Sequence, residues 1–216
     1  CDDNFSCSFL DHNAPLSKFL CDNDYTINKN KYLWFWGVSG NLDYVIAKPR
    51  LGGQIMNDFE RWLAEGDLTT DGRSNEIVDI VLESPIYIAD LLACLQSENP
   101  VVRGHAADVI EKIGREKPEI YLPHIHRLIK SAEEDPVDMV QWHLAMLFGH
   151  LALFEDYLDP LLATLNEQLQ KGGAFVKTWA MASLCMIARL YPGYQPRIIG
   201  EISKLKVLFK RVPTDE

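Results

Sequence analysis

His143 and His150 stand seven residues apart in the stretch DPVDMVQWHLAMLFGHL (135–151). On a helix that spacing is two turns, about 10 Å, so the pair cannot share one metal ion. His124 and His126 are two apart, and on a helix they project about 200° away from each other. His105 and His143 recur 38 residues apart, with Trp179 third in the same row. Neighbouring helices pack about 8–10 Å apart, so a His105–His143 pair could meet across a helix contact, although a solvated or core-edge histidine is the simpler expectation. Cys7, His12 and Cys21 carry zinc-ligand side chains without the C-x₂-C spacing that makes a site. No metal and no cofactor is expected. GVSG (37–40) fails the second spacing of a nucleophile elbow, and GNLDYVIAKPRLGG (40–53) lacks the phosphate-loop pattern. No catalytic residue is assigned, and no enzyme is expected.

Binding is the better reading of 135–151. A helix on a soluble surface shows one apolar stripe and one wet face. Counting 100° per residue from Val140, Trp142 falls near 200° and Met146 near 240°, opposite the core stripe. With Leu153 they put apolar side chains where water is expected. Burying Trp142 and Met146 stabilises by roughly 1.5–3 kcal/mol for each side chain. Left bare, they would be a liability. Either the aromatic segment at 31–49 or a partner should cover them, and the order of the chain favours the partner.

The elements that must position these residues are legible from punctuation. Prolines recur at Pro85, Pro123, Pro160 and Pro196, spaced 38, 37 and 36 residues apart, each near the start of an apolar helical pattern. Proline suits a first helical turn, where its missing N–H has no partner to lose. Ser84 and Asp159 precede two of them and are candidate N-caps. Between these prolines lie Asn99-Pro100, Asp135-Pro136 and Gly172-Gly173, each opening a second helix. The second helices align on Val102, Val140 and Val176, with Ala106, Leu144 and Ala180 four residues on. Each unit is therefore a helix A, a tight turn and a helix B, at a period typical of helical repeats.

This pattern resembles HEAT repeats over residues 84–210, in three full repeats and one further A helix. The proline in helix A, the Asp/Asn-Pro turn and the Val-then-basic pair opening helix B (Val102-Arg103, Val176-Lys177) carry the resemblance. The second repeat has Gln141 at the basic position, and the third has Gly-Gly for Asp-Pro. The resemblance implies an all-α, HEAT-like α-α superhelix of about three and a half repeats, and the pattern of residues 1–54 adds an irregular N-terminal extension. Such arrays bind partners on the inner face made by their B helices. That places Arg103, His105, Gln141, Trp142, His143, Met146, Lys177 and Trp179 on a partner-binding strip. A protein or peptide partner is expected, and a peptide or small-molecule binder is an alternative. One enzyme class with HEAT-like folds, a DNA alkylation-repair glycosylase family, uses aromatic, acidic and basic groove residues. Trp142, Trp179 and Asp108 echo the first two, but the basic part is thin.

Composition and charge narrow the classes further. The 216 residues are 47% hydrophobic and 24% charged, an ordinary globular balance. A net charge of −10 opposes nucleic-acid binding, where Lys and Arg must neutralise phosphates. No run of about 18 apolar residues suggests a membrane span, and no signal peptide is read. Five cysteines without regular spacing point to a reducing, cytoplasmic compartment, with Cys94 and Cys185 as buried apolar residues.

The chain divides by pattern into 1–54, 55–83 and 84–216. Residues 1–54 are irregular, and KYLWFWGVSGNLDYVIAKP (31–49) could form a short hairpin. Gly52-Gly53 reads as a hinge. Residues 55–83 read as a solvated acidic cap of two helices, the first ending at Gly66, and 55–84 hold eight acidic and two basic residues.

Overall fold

The helix boundaries follow the punctuation. The computed structural model describes residues 52–209, and side chains over 58–205. The hairpin expected at 31–49, and Cys7, His12 and Cys21, lie outside the described residues. A division of the chain falls after Ala47, and every described residue belongs to the second unit, Lys48–Glu216. Among the described residues there are helices and no strand. They are α1 (Gly52–Leu63), α2 (Ser74–Glu83), α3 (Ile88–Cys94), α4 (Pro100–Glu116), α5 (Ile125–Glu134), α6 (Asp138–Leu151), α7 (Leu158–Lys171), α8 (Ala174–Leu190) and α9 (Gln195–Phe209). Short 3₁₀ turns lead into α3, α5, α7 and α9.

Some local expectations need correction. Gly52 and Gly53 are the first residues of α1, not a hinge before it. α1 ends at Leu63, and Gly66 lies in the turn beyond with φ 85°, a left-handed conformation that favours glycine. Ser84 does stand before Pro85, but its side chain caps nothing. Asp159 is the second residue of α7, inside the helix it was expected to cap. The cap that forms is Asn99, whose Oδ1 accepts from the Val101 N–H at 2.9 Å. Pro160 and Pro196 sit inside the first turns of α7 and α9, where the leading N–H groups have no helical partner.

The second helices of the three units share one register. Val102, Val140 and Val176 are fully buried, and so are Ala106, Leu144 and Ala180 four residues on. In chain order, α2 packs on α4, α4 on α6 and α6 on α8. On the other layer α1 packs on α3, α5 on α7 and α7 on α9. α6 therefore has α4 on one flank, α8 on the other, and α5 and α7 behind it.

Small residues set how closely these helices approach. A Cβ on Gly114 of α4 would overlap Leu147 Cδ1 of α6, and one on Gly149 of α6 would come within 2.7 Å of Ser183 Oγ of α8. Leu147 is fully buried. Gly114→Ala is therefore expected to destabilise by about 1–3 kcal/mol, an overpacking penalty that outweighs alanine's better helix propensity. Urea unfolding measures it. Leu147→Ala should be less harmful in the Gly114→Ala background than alone, and a neutral Gly114→Ala would refute the close-approach account.

Candidate partner-binding face

Trp142 projects from α6 towards α8. Its ring centroid is 6.4 Å from that of Trp179 with the planes 24° apart, and 6.4 Å from that of Phe175 at 39°. Phe175 and Trp179 are four residues apart and share one side of α8. Trp142 and Trp179 are half-buried, while Phe175 is 69% exposed. The wheel placed Trp142 and Met146 on a wet side to be covered from outside the repeats. Instead the next B helix covers part of that side. A single-stripe wheel suits a helix with one buried flank, and α6 has neighbours on both flanks and behind it. Met146 is half-buried, and Leu153 lies past the end of α6 in the following turn.

The predicted strip does not assemble as one surface. His105 is fully buried. Its Nδ1 lies 2.8 Å from Leu63 O, and its Nε2 lies 3.0 Å from Asp67 O and 2.8 Å from Thr70 O. It clasps the loop between α1 and α2 and is out of reach of any partner. Nor does it meet His143, whose ring instead points along the α4–α6 seam towards Asp108. Arg103 and Gln141 serve the Asp135-Pro136 turn between α5 and α6. Arg103 Nε donates to Asp135 Oδ2 at 2.7 Å, and its Nη1 donates to Ser97 O at 2.8 Å. Gln141 Nε2 donates to Asp135 O at 2.7 Å. Lys177 is half-buried, and its position is 200° round α8 from both Phe175 and Trp179.

Beneath the aromatic rings runs a seam of buried ionisable groups between α4 and α6. His143 stacks on Trp142 at 3.5 Å between centroids and is 4% exposed. Its Nε2 is 3.7 Å from Asp108 Oδ1, longer than a hydrogen bond, and neither ring nitrogen has a partner among the described residues. Burial pushes the imidazole down to about 4, against the pull of Asp108 and Glu111, so the ring is neutral at pH 7 and forms no ion pair. Asp108 is held by Lys112 Nζ at 2.8 Å. Glu111, fully buried, accepts from Arg115 Nε and Nη2 at 2.6 Å each, and His150 Nε2 lies 3.4 Å away. Burial alone would raise the Glu111 carboxyl, but the hydrogen bonds and charges of His150 and Arg115 prevail and hold it below the usual carboxylate value.

This seam reads as structural. Asp108, the acidic group the glycosylase comparison needs at a groove surface, is buried and salt-bridged. Among the described residues no group of three His, Cys, Asp or Glu side chains could hold a metal ion. Of the two described cysteines Cys94 is buried, its thiol pushed up to about 12 chiefly by that burial, and Cys185 is half-buried. Phe175 is the surface residue the sequence reading missed. Its signal was the four-residue spacing to Trp179 just after the Gly172-Gly173 turn. No family model matches the chain, and no curated protein or solved structure matches it.

Proposed function

We propose that the chain is a HEAT-like repeat module, without catalysis, that binds a protein or peptide partner on the α6–α8 face, in the cytoplasm. The carrying observation is Phe175, 69% exposed and continuous with the half-buried rings of Trp142 and Trp179. Large aromatic side chains grouped at a surface are the usual anchors of interfaces. Three further observations support the reading. The B helices share one register and pack in chain order, as stacked repeats would. Buried His105 ties α4 to the end of α1 and the loop after it, and the buried Asp108 and Glu111 carboxylates are paired with Lys112 and Arg115 along α4. No helix among the described residues is long and apolar enough to cross a membrane, and the two described cysteines are free, which suits a reducing compartment.

Panning a peptide library against the wild-type chain tests the reading. Enriched peptides should lose binding to Phe175→Asp and keep it with Ala163→Asp, a change at an exposed position on α7. Phe175 is exposed enough for this substitution to leave folding intact. Peptides that bind Phe175→Asp as well as wild type, or a library that yields none, would rule the face out.

A further inference from the structure

One tryptophan of this chain already carries a cation. The Arg73 guanidinium lies 4.6 Å from the centroid of the Trp62 ring. Glu76 accepts from the same guanidinium, and Glu65 lies 3.7 Å from it. An aromatic face, a carboxylate and an arginine complete that arrangement within one chain.

The α6–α8 face has the first two parts without the third. Trp142, Phe175 and Trp179 supply the rings, and no cation lies over them among the described residues. Asp138 supplies the carboxylate. It precedes Trp142 by one helical turn, so both lie on the same side of α6. It is exposed, and its side chain makes no hydrogen bond or ion pair among the described residues. Its Oδ2 would lie 2.6 Å from a Cβ on Gly173, which puts the carboxylate against the turn that opens α8. The nearby cations are turned away or engaged. Lys177 is on the other side of α8 from the Phe175 and Trp179 rings, and Lys171 Nζ donates to Glu167 at 2.7 Å. His143, stacked behind Trp142, is neutral.

We propose that this face binds an arginine side chain of the partner peptide, its guanidinium stacked on the Trp142, Phe175 and Trp179 rings and paired with the Asp138 carboxylate. The inference rests on the peptide-binding reading above and adds the chemistry of the partner. Arginine fits better than lysine for two reasons. Its guanidinium is planar and stacks on ring faces, and the two indoles are within 24° of parallel. Its fork also pairs with a carboxylate through two N–H groups, where an ammonium is a point charge. The chain's net charge of −10 favours approach of such a peptide.

The test is an NMR titration with an arginine-centred pentapeptide and the same peptide carrying citrulline, which is planar, similar in size and uncharged. The indole N–H resonances of Trp142 and Trp179 should move with the arginine peptide, and its affinity should exceed that of the citrulline peptide by about three- to thirty-fold. Asp138→Asn should remove several-fold of that preference and Phe175→Ala should weaken binding, both at exposed positions where folding is not at stake. Equal affinity for the two peptides would overturn the cation inference and leave the peptide-binding reading standing. So would shifts confined to Trp62, or no response to either peptide while panned peptides still bind the face. Failure of the panned peptides themselves is the separate result that would remove the parent reading.

Discussion

Arg103→Met is expected to lower the stability of the chain by about 3 kcal/mol. Arg103 and Asp135 are 16% and 8% exposed in their side chains, so water does little to screen the pair. Arg103 also donates to the carbonyls of Ser97 and Glu98, which close the turn before α4. Asp135 Oδ1 in turn accepts from the Val137 N–H at 2.9 Å in the turn before α6. Removing the guanidinium therefore leaves a nearly buried carboxylate without its cation and two carbonyls without their donor. Replacing a buried pair outright is milder than orphaning one partner. Arg103→Met with Asp135→Asn should recover part of the loss, because the asparagine carbonyl can still accept from Val137. In thermal unfolding the single variant should drop by roughly 6–12 °C. A single variant within 1 °C of wild type would mean that the link between turns contributes nothing.

That same pair shows how far the sequence could be read. Val-then-basic after a Pro turn was visible as a pattern, and so was its register with Val140 and Val176. What Arg103 does was not visible, because its partner Asp135 lies 32 residues away and is brought near only by stacking one unit on the next. His105 went wrong for the same reason. Its place in the row matched His143, but the end of α1 and the loop after it supply three carbonyls to its ring, and a loop path is not encoded in helical periodicity. The wheel put Trp142 on the side of α6 away from the Val140 stripe. Its environment was misjudged because the wheel has no term for the flank occupied by α8. Phe175 could have been found, since it pairs with Trp179 at helical spacing. The close approaches at Gly114 and Gly149 could not, since a glycine within a helix reads only as a weak helix former until the neighbouring side chain is known. Helix positions are local and periodic, and the sequence carries them. Side-chain partners at this site are set between units and need the packing.

Acid should weaken the chain through His143. Its folded value of about 4 lies below the ordinary 6.5, so the unfolded chain takes up a proton there before the folded one does. The contribution is therefore fully present above pH 6.5 and declines as the pH falls towards 4. Each pH step within that window removes about 1.4 kcal/mol, which amounts to about 3 kcal/mol in all. His124, lowered by its own burial and by Arg127, acts in the same direction. Glu111, held below the usual carboxylate value, also loses its contribution in acid, but only as the pH falls below the ordinary 4.5. The range between pH 6.5 and 4.5 therefore separates the imidazole from that carboxylate. Urea unfolding at pH 7 and pH 5 should show wild type losing about 2 kcal/mol more than His143→Gln, whose amide fills similar space without titrating. The physical origin is specific: a proton on His143 would place a charge in a seam where its nearest carboxylate, Asp108, is already committed to Lys112 at 2.8 Å and stands 3.7 Å away. If His143→Gln and wild type lose the same stability between pH 7 and pH 5, the ring is not held neutral by burial, and the seam beneath Trp142 is more open to water than its packing implies.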